Sequence, residues 1–179
     1  MQTTTQRGFT LTELVVAMGI VAILLAIGAP SYRYVTTTNR VSSEINGLLG
    51  DLQFARAEAI REGQTVSVCA ANTSGSQCSG TESWTNGWIV FSDSPTLGTI
   101  DGNDTVLRLQ KPLASGDSLT VNTANINAVT FTREGFALSL PGSITLKLQD
   151  STATPAYTRC LALTVVGAMT TQLHGTGSC

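Results

Sequence analysis

Near its start the chain runs from Phe9 to Pro30 as FTLTELVVAMGIVAILLAIGAP, directly after a polar leader that ends in Arg7 and Gly8. The 21 residues from Phe9 to Ala29 carry a single charge, on Glu13. At a rise of about 1.5 Å per residue, a helix of this length matches a hydrocarbon core of roughly 30 Å. The stretch therefore predicts a membrane-spanning helix over residues 9–30. A carboxylate inside such a helix is costly without a partner, so Glu13 indicates a functional role.

The order of these features differs from that of an ordinary secretory signal. Such a signal has an apolar stretch of about 7–15 residues, followed by a cleavage site of small residues. Here the apolar stretch is longer, and the charged leader and the Gly8–Phe9 step precede it. Cleavage between Gly8 and Phe9 would remove residues 1–8 and leave the apolar helix on the mature chain. The alternative is a plain N-terminal anchor helix.

The segment RGFTLTEL at residues 7–14, with the apolar stretch behind it, resembles the prepilin signature of type IV pilins and type II secretion pseudopilins. The resemblance implies that the prepilin peptidase cuts after Gly8 and methylates the new N-terminal residue, Phe9. It also implies that Glu13, the fifth mature residue, serves assembly. In a filament, the positive N-terminus of one subunit can pair with Glu13 of a neighbour. Such pairing offsets desolvation and fixes the register between subunits.

After the apolar stretch, Pro30 predicts a kink or local break that shapes the helix for assembly. Residues 31–62 then predict an amphipathic helix, with Gly63 as its stop. Its apolar stripe recurs at alternating steps of four and three residues and consists of Val41, Ile45, Leu48, Leu52, Ala55 and Ala59. The stripe could form a coiled-coil seam. Because the following β segments need a cover, we expect it to pack on the chain's own sheet.

Short β segments separated by turn residues follow, and they predict a β-rich head over residues 63–179. The clearest strands are Thr65–Ala70, Trp88–Ser92, Val106–Lys111 and Ile144–Leu148. Weaker candidates are Leu119–Val121, Ala128–Phe131, Phe136–Leu140, Leu161–Val165 and Met169–Leu173. The predicted fold class is α+β, with a long N-terminal helix packed on antiparallel sheet. The family resemblance implies the same architecture, the type IV pilin fold.

All four cysteines, Cys69, Cys78, Cys160 and Cys179, lie beyond the apolar stretch. An even number of cysteines in an exported domain predicts disulfides. Of the three possible pairings we favour Cys69–Cys78, which would close a polar loop, and Cys160–Cys179, which would hold the tail on a strand. A zinc site is the alternative, but the chain has no CxxC spacing and only one histidine, His174.

Four segments beyond the apolar stretch resemble the GspH/FimT-type minor pilins and pseudopilins. They are ARAEAI at 55–60, VSVC at 66–69, GWIVF at 87–91 and VTFTREG at 129–135. The resemblance implies a FimU-like minor type IV pilin that primes pilus assembly at or near the tip. Its partners would be other minor and major pilin subunits and the inner-membrane assembly platform. The chain would cross the inner membrane once, carry a periplasmic head and later join a pilus at the cell surface.

Two alternatives remain within the family. One is a GspH-like pseudopilin of a type II secretion system, and the other is a FimT-like pilin that binds DNA for natural transformation. DNA-binding members carry a Gly-Arg-x-Arg element near the C-terminus, whereas VVGAMT at residues 165–170 has Gly167 without a following arginine. Past Arg159 there is no Lys or Arg, and the net charge is −2. DNA affinity depends on neutralising phosphates, so this composition argues against nucleic-acid binding.

Other polar groups have simpler structural interpretations. The oxygens of Asp101-Gly102-Asn103-Asp104 could hold calcium, but a hairpin turn explains the same residues. We expect Trp88 in the core and Trp84 partly exposed. His174 has no evident nucleophile or carboxylate partner, so no catalytic triad is indicated. The sequence therefore predicts a non-enzymatic protein without cofactor or metal.

Overall fold

The computed structural model describes residues 8–94, 96–114, 116–138 and 140–179. The predicted leader, apart from Gly8, lies outside these residues. The chain divides into two compact units, of which the first ends at Thr37 and the second covers Thr38–Cys179. Each unit is described by itself below.

A single helix, α1, extends from Leu11 to Glu62 and includes Pro30. Helical residues lie on both sides of Pro30, so the predicted local break is wrong. A proline lacks the N–H for a helix hydrogen bond and its ring crowds the carbonyl four residues before it, so it weakens this turn, but the helical residues on both sides continue the helix through it. The predicted stop is confirmed, because Gly63 has a φ of 69° and donates its N–H to the Ala59 carbonyl at 3.0 Å.

In the first unit, every residue from Gly8 to Thr36 is exposed. The exposed side chains include large apolar groups on all sides of the helix, such as Leu14, Met18, Ile23 and Ile27. By length and composition this segment of α1 could cross a membrane. A helix that is apolar all round needs an apolar environment, which either lipid or neighbouring helices can provide.

The described part of the second unit contains nine strands in two sheets. They are β1 (Val66–Ala70), β2 (Trp88–Ser92), β3 (Val106–Leu109), β4 (Ser118–Val121), β5 (Ala128–Phe131), β6 (Ala137–Leu138), β7 (Ile144–Gln149), β8 (Arg159–Leu163) and β9 (Met169–Leu173). The first sheet has the order β3-β2-β1-β5-β6 and the second β4-β7-β8-β9. All neighbouring strands are antiparallel, which confirms the predicted α+β architecture.

Each predicted strand has a counterpart, but the position predicted for β8 is two residues too late. Arg159 and Cys160 pair with Leu148 and Lys147 of β7, so the strand begins earlier than its apolar residues suggest. Val165 instead belongs to the turn before β9, where Thr164 donates its N–H to the Ala168 carbonyl at 3.0 Å.

The apolar stripe of α1 packs on the chain's own sheets, as expected. All six stripe residues are at most 2% exposed and belong to one core cluster with residues of both sheets. Trp88 lies in this core, but the expectation for Trp84 is wrong, because Trp84 is fully buried there. The backbone N–H of Trp84 donates to the Leu119 carbonyl at 2.9 Å, and the bridge between Ser83 and Thr120 holds the same loop against β4. These backbone contacts carry the indole inward.

Two disulfides join Cys69 to Cys78 and Cys160 to Cys179, the pairs favoured from the sequence. The first closes the loop after β1 on a small second cluster formed by Cys69, Ala71, Ile89 and Phe91. The second brings the residues after β9 back to the second sheet, where the hydroxyls of Ser178 and Thr145 lie 2.6 Å apart. The two disulfides thus hold covalently two polar segments that have few apolar side chains to bury.

Candidate functional site

The first candidate site is the start of α1. Phe9 is 86% exposed and precedes the helix, and a side chain placed on Gly8 would have no described atom within 4 Å. Thr10 donates both its N–H and its hydroxyl to Glu13 Oε2, each at 2.9 Å. The Glu13 N–H in turn donates to Thr10 Oγ1 at 3.3 Å. This reciprocal arrangement is a capping box, which satisfies donors at the helix N-terminus.

The capping box changes the interpretation of Glu13. From the sequence we expect Glu13 to lack a partner until a neighbouring subunit arrives, whereas its Oε2 already has one within its own chain. Among the described residues, Oε1 accepts no hydrogen bond, so it remains available to an outside donor. The signal was present in the sequence as Thr10-Leu11-Thr12-Glu13, the T-x-x-E pattern of a capping box.

An ion pair lies at the beginning of the second unit. Arg40 donates Nε to Asp117 Oδ2 at 2.8 Å and Nη2 to Oδ1 at 2.7 Å, and the Asp117 side chain is fully buried. The Asp117 carboxylate raises the pKa of Arg40. Beside this pair, burial raises the pKa of Glu44, although Glu44 Oε1 accepts the Ala114 N–H at 3.0 Å. The partners are distant in sequence, and no local pattern indicates the pairing.

A second polar link joins α1 to the first sheet. Trp88 Nε1 donates to Asp51 Oδ2 at 2.9 Å, and Arg108 Nη1 donates to Oδ1 at 2.9 Å. The Arg108 guanidinium also lies 3.6 Å from the centroid of the Phe54 ring. The helix is thereby fixed to both β2 and β3.

The turn between β8 and β9 is the segment where the DNA-binding element would fall. Arg56 of α1 donates Nε to the Gly135 carbonyl at 2.9 Å and Nη2 to the Val166 carbonyl at 3.3 Å. Gly167 has a φ of 76°, and an added Cβ would lie 2.5 Å from the Gly135 oxygen. Val165 and Val166 are exposed. The turn is therefore tightly held and presents apolar rather than basic side chains.

The acidic segment at 101–104 forms a turn. Asp104 accepts the N–H groups of Ser94 and Asp101 at 3.0 and 2.8 Å, and Asp101 accepts that of Asn103 at 2.9 Å. Within the described ranges, no cluster of three or more His, Cys, Asp or Glu could hold a metal ion. His174 is exposed just after β9.

A buried acid lies near this turn. Asp93 is 1% exposed and accepts hydrogen bonds from the Ser67 hydroxyl and, at 2.7 Å, from the Gly98 N–H. Its Oδ1 is buried and has no hydrogen-bond partner in the described structure. Burial raises the pKa of Asp93 more than these two hydrogen bonds lower it.

Two family profiles match the sequence. Residues 44–167, more than half of the chain, match the family described as type II transport protein GspH. Residues 3–29 match the prokaryotic N-terminal methylation motif, which includes the Gly8–Phe9 step and Glu13. No curated protein sequence matches the chain.

Solved structures share the fold. The type IV minor pilin FimU of Pseudomonas aeruginosa strain PAO1 superposes with a TM-score of 0.54, 17% identity, and coverage of 77% of this chain and 94% of FimU. A second crystal form gives a TM-score of 0.56, 16% identity, and coverage of 82% and 93%. The minor pseudopilin EpsH from the Type 2 Secretion System of Vibrio cholerae gives 0.52, 14%, and coverage of 76% and 98%. At these identities the likeness concerns the fold alone.

Proposed function

The chain belongs to the family of the type II transport protein GspH, and from this premise we propose that it is a minor type IV pilin. In this role it is a structural subunit that primes pilus assembly and lies at or near the pilus tip. The observation that carries the proposal is the capped Glu13 close to Phe9, at the start of the segment of α1 up to residue 36, whose apolar residues are exposed all round. Such a surface is suited first to lipid and then to packing among other pilin helices.

The proposal begins with processing by the prepilin peptidase. The N-terminal methylation motif implies such processing and assembly into a filament. We place the cleavage between Gly8 and Phe9 and the methyl group on the Phe9 amine. Among the described residues, no atom lies within 4 Å of a side chain placed on Gly8, which supports access of a peptidase to this bond. Before assembly, the mature chain spans the inner membrane once, and its disulfide-bonded second unit lies in the oxidising periplasm.

Assembly then uses Glu13 as an acceptor for the N-terminal amine of a neighbouring subunit. The capping box reduces the cost of holding Glu13 in lipid, because Oε2 is already hydrogen-bonded. An incoming amine at Oε1 adds an opposite charge, which Thr10 cannot provide. The cap thus keeps the free-energy cost of Glu13 low in the unassembled membrane subunit, and the added ion pair favours the assembled state.

A minor pseudopilin of a type II secretion system is the second candidate. The family description and the shared fold of EpsH both favour it. The two proposals use the same N-terminus and fold, and they differ in the machine that the subunit joins. DNA capture has less support, because the turn at 164–168 carries no charged residue and no Lys or Arg follows Arg159.

The test compares Glu13→Gln with Glu13→Ala in cells that assemble pili. Gln can still accept the Thr10 hydrogen bonds, so it keeps the helix cap but removes the charge, whereas Ala removes both. We expect intact mass to show loss of residues 1–8 and gain of one methyl group in wild type and both variants. We also expect both variants to be depleted from sheared pili. Normal incorporation of Glu13→Gln would refute the charge-pairing mechanism, and an unprocessed wild-type chain would refute the pilin assignment.

A second measurement distinguishes a subunit of a type IV pilus from a subunit of a type II secretion system. The wild-type subunit should be found in sheared pili, and its loss should reduce piliation while leaving type II secretion intact. Loss of secretion with normal piliation would instead establish the pseudopilin alternative.

A further inference from the structure

The two sheets have four edge strands, and β9 is the least protected. β6 has two residues, and β4 is bridged on its outer side through Thr120 to Ser83. β3 carries Arg108 and a register shift opposite Val90 and Phe91. β9 has five residues without charge, proline or register shift, and in the described part of the chain it pairs with β8 alone. Edge strands without such protection are templates for strand addition.

The backbone of β9 has donors that face its free edge. Thr164 donates its N–H to the Ala168 carbonyl, so these two residues form a hydrogen-bonded pair. In an antiparallel ladder such pairs alternate with pairs that are not hydrogen-bonded to each other. Counting from this pair along the register, the N–H groups of Met169, Thr171 and Leu173 point away from β8. They are therefore placed to bond another strand.

Two cavities open between α1 and β9. The larger, about 510 Å³, is lined by Arg56, Ile60 and Met169 among others. The smaller, about 180 Å³, is lined by Ile45, Arg159 and Leu173 among others. We call the surface formed by α1 residues 42–60 and by β9 the β9 trough.

Each cavity contains an arginine without an acidic partner. Arg56 donates to the Gly135 and Val166 carbonyls, and Arg159 donates Nη1 to the Ala156 and Thr158 carbonyls. Neither forms a salt bridge within the described residues. The other arginines of the second unit have carboxylate partners, namely Arg40, Arg61, Arg108 and Arg133. The β9 trough thus has an unmatched positive charge in each cavity and suits a ligand with two carboxylates.

We propose that the β9 trough receives an extended acidic segment of a neighbouring filament subunit, which adds a strand to β9. The added strand bonds the outward N–H groups of β9, and its carboxylates contact Arg56 and Arg159. A second copy of β9 does not fit as well, because β9 contains no acid to pair with the arginines. That the added strand comes from a filament subunit rests on the proposed function. That the β9 trough binds an extended acidic segment does not.

The strand geometry limits the spacing of the acids. From Met169 to Leu173, β9 spans about 13 Å, at about 3.3 Å per residue. Residues four apart on an added strand lie at this spacing and on the same face. A suitable probe is therefore a seven-residue peptide of alternating valine and threonine with glutamate at its second and sixth positions. The matched control peptide has glutamine at both positions.

The test uses the full chain in detergent micelles, which requires no filament. Fluorescence anisotropy measures peptide affinity, and hydrogen exchange measures protection of the amides at 169–173. We expect the glutamate peptide to bind and to slow exchange there. Arg56→Gln and Arg159→Gln should each weaken binding by about tenfold or more, because each removes a charge-assisted contact. Lys111→Gln removes the same charge from an exposed loop and should leave affinity within about twofold.

Thr171→Pro provides a variant that leaves both arginines in place. It removes an outward N–H without removing a bond to β8, so it should abolish the protection of β9 while tryptophan fluorescence stays native. The proposal is overturned if the glutamine peptide binds equally well, if Thr171→Pro binds like wild type, or if Lys111→Gln loses as much affinity as the trough variants. These results do not depend on Glu13, so their failure would leave the proposed function standing.

Discussion

The ion pair between Arg40 and Asp117 predicts an asymmetric response to mutation. The Asp117 side chain is fully buried, whereas that of Arg40 is 39% exposed. Arg40→Gln leaves a buried carboxylate without its cation, next to Glu44. Removing one partner of a buried pair costs about 3–5 kcal/mol, and because water reaches Arg40 we expect about 3 kcal/mol. Asp117→Asn leaves the charge on a side chain that solvent can hydrate, so we expect about 1 kcal/mol.

Urea unfolding of the full chain in detergent measures this difference. Trp84 and Trp88 are both buried in the second unit, so their fluorescence reports its unfolding. The m-value should be unchanged while the midpoint falls further for Arg40→Gln than for Asp117→Asn. An equal or larger loss for Asp117→Asn would show that burial of the carboxylate is not what sets the cost, and the argument would fail.

Two further predictions concern the second unit. Gly167→Ala places a Cβ 2.5 Å from the Gly135 oxygen at a positive φ, so we expect a loss of about 2–3 kcal/mol and a thermal midpoint lower by about 5–10 °C. Gly142→Ala, which meets open space, is the matched control, and equal losses would contradict this reasoning. Asp93→Asn should flatten the pH dependence of stability. Because the folded-state pKa of Asp93 is raised, its contribution is fully present below its ordinary pKa near 4 and is lost as pH rises through the folded value. Urea midpoints from pH 4 to 8 test this, and an unchanged slope in the variant would be evidence against it.

The parts of the fold that follow from periodicity were predictable from the sequence. The stripe from Val41 to Ala59 repeats at helical spacing, and all its members are buried. The strands likewise follow from β-branched and aromatic segments between turn residues. These signals are local, because the residues that form each pattern lie within a single helix or strand.

Other features depend on contacts between distant segments, and the sequence alone did not reveal them. Trp84 is buried because its loop is held against β4, which no local pattern shows. Arg56 and Gly167 face each other across a long separation in sequence. The capping box of Thr10 and Glu13 is different, because it is a local pattern that could have been recognised.

The stripe of α1 also determines how the second unit must unfold. Its six residues belong to one continuous core with the inner faces of both sheets, so neither sheet has a separate core on that side. Loosening the helix would expose both sheets at once, and a partly folded form retaining one sheet would gain little stability. Unfolding should therefore be cooperative, with hydrogen exchange of the amides of β1 and β7 giving one common free energy of opening. Because of this cooperativity, a substitution that destabilises the helix would destabilise the entire second unit.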